Sequence, residues 1–208
     1  MTTRRQLPRW SQLRPLVRLQ RPDLSPSRRA LAAALTVADI RSVARRRVPR
    51  AVFDYVDGAA ETESSYRRAR AAYEGLEFQP RALQDVGAVC TVTTLLGAPA
   101  AVPFGFAPTG FTRLMHHEGE AAVARVAGSR GIPYAVSTLG TATPEAVAGT
   151  VRDQPGARLW FQLYVWRDRA AAEELIRRAD AAGYEALVLT VDVPVAGARL
   201  RDVRNGLS

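Results

Sequence analysis

The chain has 208 residues, of which 47% are hydrophobic, so it is long enough for one or two globular domains. No apolar run approaches the roughly 20 residues of a membrane-spanning helix. The single cysteine, Cys90, excludes a disulfide framework and a multi-cysteine metal site. We expect Cys90 to be a small apolar residue in a strand, and the protein to be cytoplasmic.

The net charge of +9 is concentrated at the amino terminus. Residues 1–50 hold 13 arginines against Asp23 and Asp39, whereas residues 51–208 hold 16 arginines against 18 acidic residues. There is no lysine, which we interpret as a GC-rich coding bias and not as an arginine-specific site. Residues 1–35 are a basic Pro/Arg-rich arm in which the prolines prevent one long helix. A solvated arm is the simplest interpretation, with peripheral contact to an anionic membrane as the alternative; nucleic acid is the less favoured partner.

The sequence pattern predicts one domain over residues 36–208. Its first part, residues 36–100, is expected to be a helical segment that precedes the strands and helices of the main fold. Thr36 is expected to cap a first helix, which Pro49 interrupts. A second helix is expected from Ala51 to Gly58 and a third over 65–73.

Beyond residue 100 the pattern alternates between strands and helices. We predict strands at 102–107, 133–138, 159–165 and 186–193, and helices at 117–130, 144–151 and 168–182. A strand spacing near 30 residues with intervening helices indicates right-handed βαβ units and a parallel sheet. The fold class is therefore α/β. The first half of a (β/α)₈ barrel over 101–208 and a doubly wound sheet fit this periodicity equally well.

Candidate site residues occur at the carboxyl end of each predicted strand, where parallel α/β folds build their sites. They are Pro108, Thr109 and Gly110 after the first strand, Ser137 in the second, Gln162 and Tyr164 in the third, and Thr190 and Asp192 in the fourth. Ser137, Gln162 and Thr190 supply uncharged donors and acceptors, which suit the carbonyls and ring nitrogens of a flavin better than they suit a metal. We expect no metal site, and we interpret His116 and His117 as structural.

Six ordered runs resemble the FMN-dependent 2-hydroxy-acid oxidases and dehydrogenases, the family of glycolate oxidase, flavocytochrome b2 and the flavin L-lactate dehydrogenases. The runs are Phe53–Glu61, Ala107–Gly110, His116–Glu120, Ser137–Leu139, Trp160–Arg169 and Leu189–Pro194, the last continuing through Arg199 to Gly206. The resemblance extends from about Thr36 to Ser208, and it implies a (β/α)₈ barrel with FMN as cofactor.

The resemblance assigns roles to individual residues. Pro108, Thr109 and Gly110 would lie against the flavin ring, with Ser137, Gln162 and Thr190 bonding it. Tyr55 and Tyr164 would face the carboxylate and hydroxyl of the substrate, and Arg199 matches an active-site arginine. Leu139 occupies the position that tunes substrate size, where leucine resembles the lactate-oxidising members. Asp192 matches the carboxylate that orients the catalytic histidine, so Asp192 and Tyr164 are the catalytic candidates.

The family's catalytic histidine, in a His-Gly-Gly-Arg run, and its phosphate-binding strands belong to a second barrel half. We expect this chain to be a fragment, a truncated product or part of a split protein, inactive alone. The expected substrate is a small L-2-hydroxy acid such as lactate, and the expected partners are a complementing carboxy-terminal half or a second copy. The alternatives are a non-catalytic remnant or assembly subunit, and a binder of membrane or nucleic acid through the arm.

Overall fold

The computed structural model describes residues 9–10, 24–192 and 195–207, and it divides the chain into two units, Met1–Val48 and Pro49–Ser208. The first unit contains α1 (Pro26–Ala32) and α2 (Val37–Arg47). Thr36 caps α2 as predicted. The backbone N–H of Asp39 donates to Thr36 Oγ1 at 3.1 Å, and the backbone N–H of Thr36 donates to the Asp39 carboxylate at 2.9 Å. Most of the predicted arm, residues 1–8 and 11–23, lies outside the described residues.

The second unit opens with the two further helices that the sequence predicts. They are α3 (Arg50–Asp57) and α4 (Ser64–Glu74), each within one residue of its expected bounds. An antiparallel hairpin follows, with β1 (Thr93–Leu95) paired to β2 (Ala98–Ala100); the sequence indicates β structure beyond Phe78 but does not give the bounds of these two strands. Within the described residues, no helix is long and apolar enough to cross a membrane.

The remainder of this unit alternates strands and helices as expected. Its elements are a 3₁₀ helix (Thr112–Leu114), α5 (Gly119–Arg130), β3 (Tyr134–Ser137), α6 (Pro144–Gly149), β4 (Leu159–Leu163), α7 (Arg169–Ala181), β5 (Ala186–Leu189) and α8 (Leu200–Arg204). Strands β3, β4 and β5 are parallel and lie side by side in chain order. A doubly wound sheet reverses its strand order at a switch point, whereas consecutive neighbours are typical of a barrel. The observed order therefore favours the barrel.

The predicted strand at 102–107 is wrong in extent, since only Phe106 pairs with the sheet. Its backbone N–H donates to Pro133 O at 2.8 Å, and its carbonyl accepts from the Ala135 N–H at 3.0 Å. Pro103 lacks a backbone donor, which shortens the ladder. The prediction that Cys90 lies in a strand is also wrong. Cys90 is exposed and outside every strand, because the chain runs irregularly before the hairpin.

The core lies between the sheet and helices α5, α6 and α7. It is built from Tyr134, Val136, Phe161, Leu159 and Leu163 of the strands with Ala124, Val147, Ala172 and Ala179 of the helices. Because side chains alternate along a strand, the intervening residues Ser137 and Gln162 project to the opposite face. The register pairs these two residues directly across β3 and β4.

Arg158, just before β4, joins the hairpin to the amino-terminal end of the sheet. Its Nε donates to Glu185 Oε2 at 2.7 Å, its Nη2 to Leu95 O at 2.9 Å and its Nη1 to Ala98 O at 3.0 Å. The side chain is buried, so its hydrogen bonds connect β1, β2 and the start of β5 away from water. A guanidinium can do this because it carries five donors in a fixed plane.

We expect Arg158→Gln to lower the free energy of unfolding by about 2–3 kcal/mol, because it removes the hydrogen bonds that the buried guanidinium makes to the hairpin carbonyl groups and to Glu185. Urea unfolding measures the loss, and amide exchange should show faster opening at residues 93–100 than elsewhere. Arg152→Gln is the matched control at an exposed arginine. Equal stability of the two variants would contradict the role given to Arg158.

Candidate functional site

The three predicted polar residues of neighbouring strands form one hydrogen-bonded chain across the sheet. Ser137 Oγ donates to Gln162 Oε1 at 3.1 Å, and Gln162 Nε2 donates to Thr190 Oγ1 at 2.8 Å. Ser137 and Gln162 are buried, whereas Thr190 is half-buried. The hydroxyl hydrogen of Thr190 therefore remains to donate from the more accessible end of the chain.

The same chain of hydrogen bonds orders the loop after β3. The backbone N–H of Thr138 donates to Gln162 Oε1 at 3.2 Å, and that of Leu139 donates to Ser137 Oγ at 3.1 Å. Thr138 Oγ1 in turn accepts from the backbone N–H of Tyr164 at 3.1 Å. The position of Leu139 thus depends on the buried amide of Gln162.

The Pro108–Gly110 turn packs against this loop. The backbone N–H of Phe111 donates to Leu139 O at 3.0 Å, and a Cβ added at Gly110 would lie 2.9 Å from Leu139 Cβ. Only glycine allows so close an approach. Pro108 and Thr109 are exposed, and Leu139 is 39% exposed, so the turn and the loop present adjoining surfaces at the carboxyl end of the sheet.

Tyr55 and Arg199, predicted from distant parts of the sequence, are in contact. The Arg199 guanidinium carbon lies 4.8 Å from the centre of the Tyr55 ring, and Nη2 donates to the carbonyl of Tyr55. The Tyr55 ring also meets Phe111 edge to face at 6.1 Å. All three residues line a cavity of about 560 Å³, together with Ala51, Val52, Leu114, Gly197, Asp202, Val203 and Leu207. The cavity is mainly apolar, with one arginine and one aspartate in its wall.

Arg199 is positioned by Asp202, three residues along the chain. Its Nε donates to Asp202 Oδ2 at 2.6 Å, and Asp202 is buried. Within the described residues, the other oxygen of Asp202 has no hydrogen-bond partner. Nε and Nη2 of Arg199 are thus engaged inside the protein, and Nη1 has no hydrogen-bond partner among the described residues.

A second arginine fastens α8 to α3. Arg201 Nη1 donates to Asp57 Oδ2 at 2.9 Å and Nη2 to Glu63 Oε2 at 2.6 Å, while Asp54 Oδ1 lies 3.8 Å from Nη1. Asn205 Nδ2 also donates to Asp54 Oδ2 at 2.8 Å. These contacts fix the segment that contains both arginines against α3, and they thereby place Arg199 beside Tyr55.

The remaining predicted residues, Tyr164 and Asp192, lie at the same end of the sheet but do not line the cavity beside Tyr55. Tyr164 follows β4 and is half-buried, and Asp192 follows β5 and is exposed. His116 and His117 are exposed, and their rings stack with centres 4.4 Å apart. Neither histidine lines the cavity beside Tyr55. In the part of the chain that the structure describes, no group of three or more metal-binding side chains occurs.

Comparison with known families gives a match to the FMN-dependent dehydrogenase model over residues 44–208. The chain belongs to the FMN-dependent dehydrogenase family. It is 53% identical to a putative L-lactate dehydrogenase of Mycobacterium tuberculosis, over 100% of this chain and 50% of that protein. It is 43% identical to a 4-hydroxymandelate oxidase of Amycolatopsis orientalis, over 84% of this chain and 47% of that protein.

Solved structures of this family confirm the barrel. The fold matches a crystal structure of mandelate oxidase with a TM-score of 0.78 and 43% identity, over 84% of this chain and 51% of that one. The fold is therefore part of the (β/α)₈ barrel of the FMN-dependent dehydrogenases. The chain spans about half the length of the curated relatives it matches.

Two residues of this site were not identified from the sequence. Asp202 had a signal, because an acidic residue three positions after an arginine is in reach of it on a helix. The fully buried Glu120, at the start of α5, accepts from the backbone N–H of Thr141 at 2.7 Å and from Thr141 Oγ1 at 2.8 Å. Burial raises the pKa of Glu120, but the neighbouring Thr112 hydroxyl and the hydrogen bonds from Thr141 outweigh it and leave the pKa below its ordinary value. Glu120 thus holds the end of the loop that carries Leu139.

The Arg201 contacts predict a pH-dependent stability. Arg201 lowers the pKa of Glu63, and the pKa of Asp54 is lowered by Asn205 first, then by Arg50 and Arg201. A lowered folded-state pKa gives stability that is present above the ordinary carboxyl pKa of about 4 and is lost as pH falls through the folded-state value. We therefore expect the difference in unfolding free energy between wild type and Arg201→Gln to shrink as pH falls from about 6 to about 3. A difference that is constant over this range, measured by urea unfolding, would contradict the ion pairs.

We also expect Asp202→Asn to loosen Arg199. A hydrogen bond to a charged acceptor is worth about 1–1.5 kcal/mol more than one to a neutral acceptor, so the Arg199 Nε–H should exchange with water roughly tenfold faster. Side-chain NMR measures this rate, with the resonance identified by its loss in Arg199→Lys. Asp153→Asn, at an exposed aspartate, is the matched control. An unchanged exchange rate in Asp202→Asn would show that Asp202 does not hold Arg199.

Proposed function

We propose that this chain provides the ring-facing and substrate-facing half of a site that oxidises a small L-2-hydroxy acid, such as lactate, to the 2-oxo acid with FMN. The observation that carries the proposal is the pairing of two features at one end of the sheet. One is the Ser137–Gln162–Thr190 chain, and the other is the Tyr55–Arg199 cavity. Family membership and the L-lactate dehydrogenases among the relatives support it.

The residues present fit FMN. Thr190 offers a hydroxyl donor fixed by Gln162, and the exposed Pro108–Thr109 turn offers a surface for a planar ring. These groups are uncharged, as suits the carbonyls and nitrogens of an isoalloxazine ring. When bound, FMN supplies an acceptor for the two electrons that leave the substrate's α-carbon. Gln162 contributes by fixing its neighbours, since its amide already donates to Thr190 and accepts from Ser137.

Arg199 is proposed to bind the substrate carboxylate. Nε is bonded to Asp202 and Nη2 to the Tyr55 carbonyl, which leaves Nη1 to face a ligand. An arginine held in this way loses little side-chain entropy on binding an anion. The hydroxyls of Tyr55 and Tyr164 are proposed to contact the carboxylate and the substrate hydroxyl.

Removal of the substrate's proton needs a base. Asp192 is proposed to orient a histidine and to stabilise its protonated form, as a carboxylate does in other acid–base pairs. This sequence has two histidines, and both stack outside the cavity. We therefore propose that the base comes from a complementing carboxy-terminal half. The activity of the assembled protein, not of this chain alone, is the proposed function.

Two substrates of different size are candidates, lactate and a bulkier 2-hydroxy acid. Leu139 and the L-lactate dehydrogenase relatives favour lactate. The cavity beside Tyr55 favours a bulkier 2-hydroxy acid, because its apolar wall is larger than the methyl group of lactate can cover. That wall is formed by Ala51, Val52, Leu114, Val203 and Leu207. Similarity to mandelate oxidase points the same way. Lactate remains the first candidate because Leu139 adjoins the Pro108–Gly110 turn directly.

The test is to produce this chain together with the carboxy-terminal half of the Mycobacterium tuberculosis relative and to follow flavin absorbance while substrate is added. We expect a bound flavin that bleaches with L-lactate. Arg199→Gln should lower kcat/KM about 10–100-fold, because a charged hydrogen bond to the carboxylate is lost. Arg204→Gln, at an exposed arginine of the same helix, is the matched control.

Three outcomes would change the proposal. Faster turnover with mandelate than with lactate would select the bulkier substrate. A bound flavin that neither acid bleaches would reject 2-hydroxy-acid oxidation. No flavin in a folded, assembled protein would favour the non-catalytic alternative.

A further inference from the structure

The first unit of the chain combines positive charge with exposed apolar side chains. Its described stretch, residues 24–48, holds six arginines and one acidic residue. Leu24, Leu35 and Val37 are 92%, 90% and 83% exposed, and Leu31 and Ile40 are about half exposed. Neither α1 nor α2 buries a residue. Exposed arginines are common on protein surfaces, but the exposure of five large aliphatic side chains within 25 residues needs an explanation.

The two kinds of side chain share one face of α2. Val37, Ile40, Arg41 and Ala44 follow the i, i+3, i+4, i+7 spacing that places residues on one side of a helix. Arg45 lies one turn beyond Arg41 and is exposed. An arginine beside an apolar stripe can bury its methylene groups along that apolar surface while its guanidinium stays in contact with water or phosphate.

The one carboxylate of this stretch is already engaged. Asp39 Oδ2 accepts from the backbone N–H groups of Leu35 and Thr36 at 3.0 and 2.9 Å and from Thr36 Oγ1 at 2.8 Å. Asp39 therefore serves the cap of α2. The arginines Arg45, Arg46 and Arg47 lie at the other end of the helix, and residues 24–48 hold no second acidic residue that could neutralise them.

This unit also lies largely outside the part shared by the family. The family match begins at residue 44, and the Amycolatopsis relative covers 84% of the chain, whereas the Mycobacterium relative covers all of it. The chemistry common to FMN-dependent dehydrogenases does not account for the basic, apolar unit. Its composition therefore calls for an explanation outside that chemistry, and the Mycobacterium relative aligns with this unit as well.

We propose that residues 24–48 bind the surface of an anionic bilayer. The arginines match lipid phosphates and acidic headgroups, and the exposed leucines, valine and isoleucine match the acyl boundary just below them. The aliphatic side chains decide against nucleic acid, because a phosphate backbone gives them nothing to pack against and single strands are bound by aromatic stacking. The surface is peripheral, in keeping with helices too short to span a membrane.

The test uses the full chain and sedimentation with two kinds of vesicle, phosphatidylcholine alone and phosphatidylcholine with about one-third phosphatidylserine. We expect binding to the second kind only, weakening as salt rises because the Debye length falls from about 10 Å at 0.1 M to about 3 Å at 1 M. Binding should not change between pH 5 and pH 8, because arginine stays charged and the stretch contains no histidine.

Matched variants separate the contributions of the charge and of the apolar side chains. Arg45, Arg46 and Arg47 changed together to Gln should weaken binding at least tenfold, since each basic residue near the surface contributes. Arg67, Arg68 and Arg70 changed to Gln remove the same charge from exposed positions of α4 and should leave binding within about twofold. Leu35→Ser with Val37→Ser should weaken binding at constant charge. Circular dichroism checks that each variant is folded.

Several results would overturn the proposal. These are equal binding to neutral vesicles, equal loss in the α4 control, and no loss on removing Leu35 and Val37. Tighter, salt-dependent binding to DNA or RNA than to anionic vesicles would assign the surface to nucleic acid instead. The salt titration of wild type decides the question if the triple variant fails to fold, since salt-independent binding would exclude an electrostatic contact.

Discussion

The buried amide of Gln162 is the interaction on which the carboxyl end of the sheet depends. It bonds Ser137 on one neighbouring strand and Thr190 beyond the other, and it also fixes the backbone of Thr138. An amide satisfied on both its oxygen and its nitrogen is stable in a core, whereas an apolar replacement would leave two hydroxyls without their partner. The strands are therefore held in register by the same group that fixes the loop around Leu139.

The opposite wall of the site depends on contacts between residues far apart in sequence. Arg199 meets the carbonyl of Tyr55, and Arg201 meets Asp57, in each case across 144 positions. A short helix such as α8, of 5 residues, has little stability alone. Ion pairs between Arg201 and α3 stabilise it, so Arg199 is held both by the cavity-lining residues Tyr55 and Asp202 and by contacts of its own segment outside the cavity.

The sequence predicted local features well and distant contacts poorly. Polar residues at the end of an apolar strand, such as Gln162 in β4 and Thr190 after β5, revealed the carboxyl ends, because the pattern of neighbouring residues indicates strand burial and strand direction. The cap at Thr36 was predicted for the same reason. The contact of Arg199 with Tyr55 and the contacts of Arg158 with the hairpin could not be predicted, since nothing near either arginine specifies an acceptor tens of positions away. Cys90 was placed wrongly because a small apolar residue packs equally well in strand or coil.

The absence of lysine has a physical consequence beyond the coding bias that first explains it. Arg158, Arg199 and Arg201 each bind acceptors from two or more separate segments, which a guanidinium can do because its donors are fixed in one plane. An ammonium group would carry the same charge with fewer donors and no plane. We expect lysine to replace arginine on the exposed α2 surface, where the arginines are proposed to act through their charge, but not at the hairpin or beside Tyr55. The same residue type serves as a structural connector in one unit and as a charge carrier in the other.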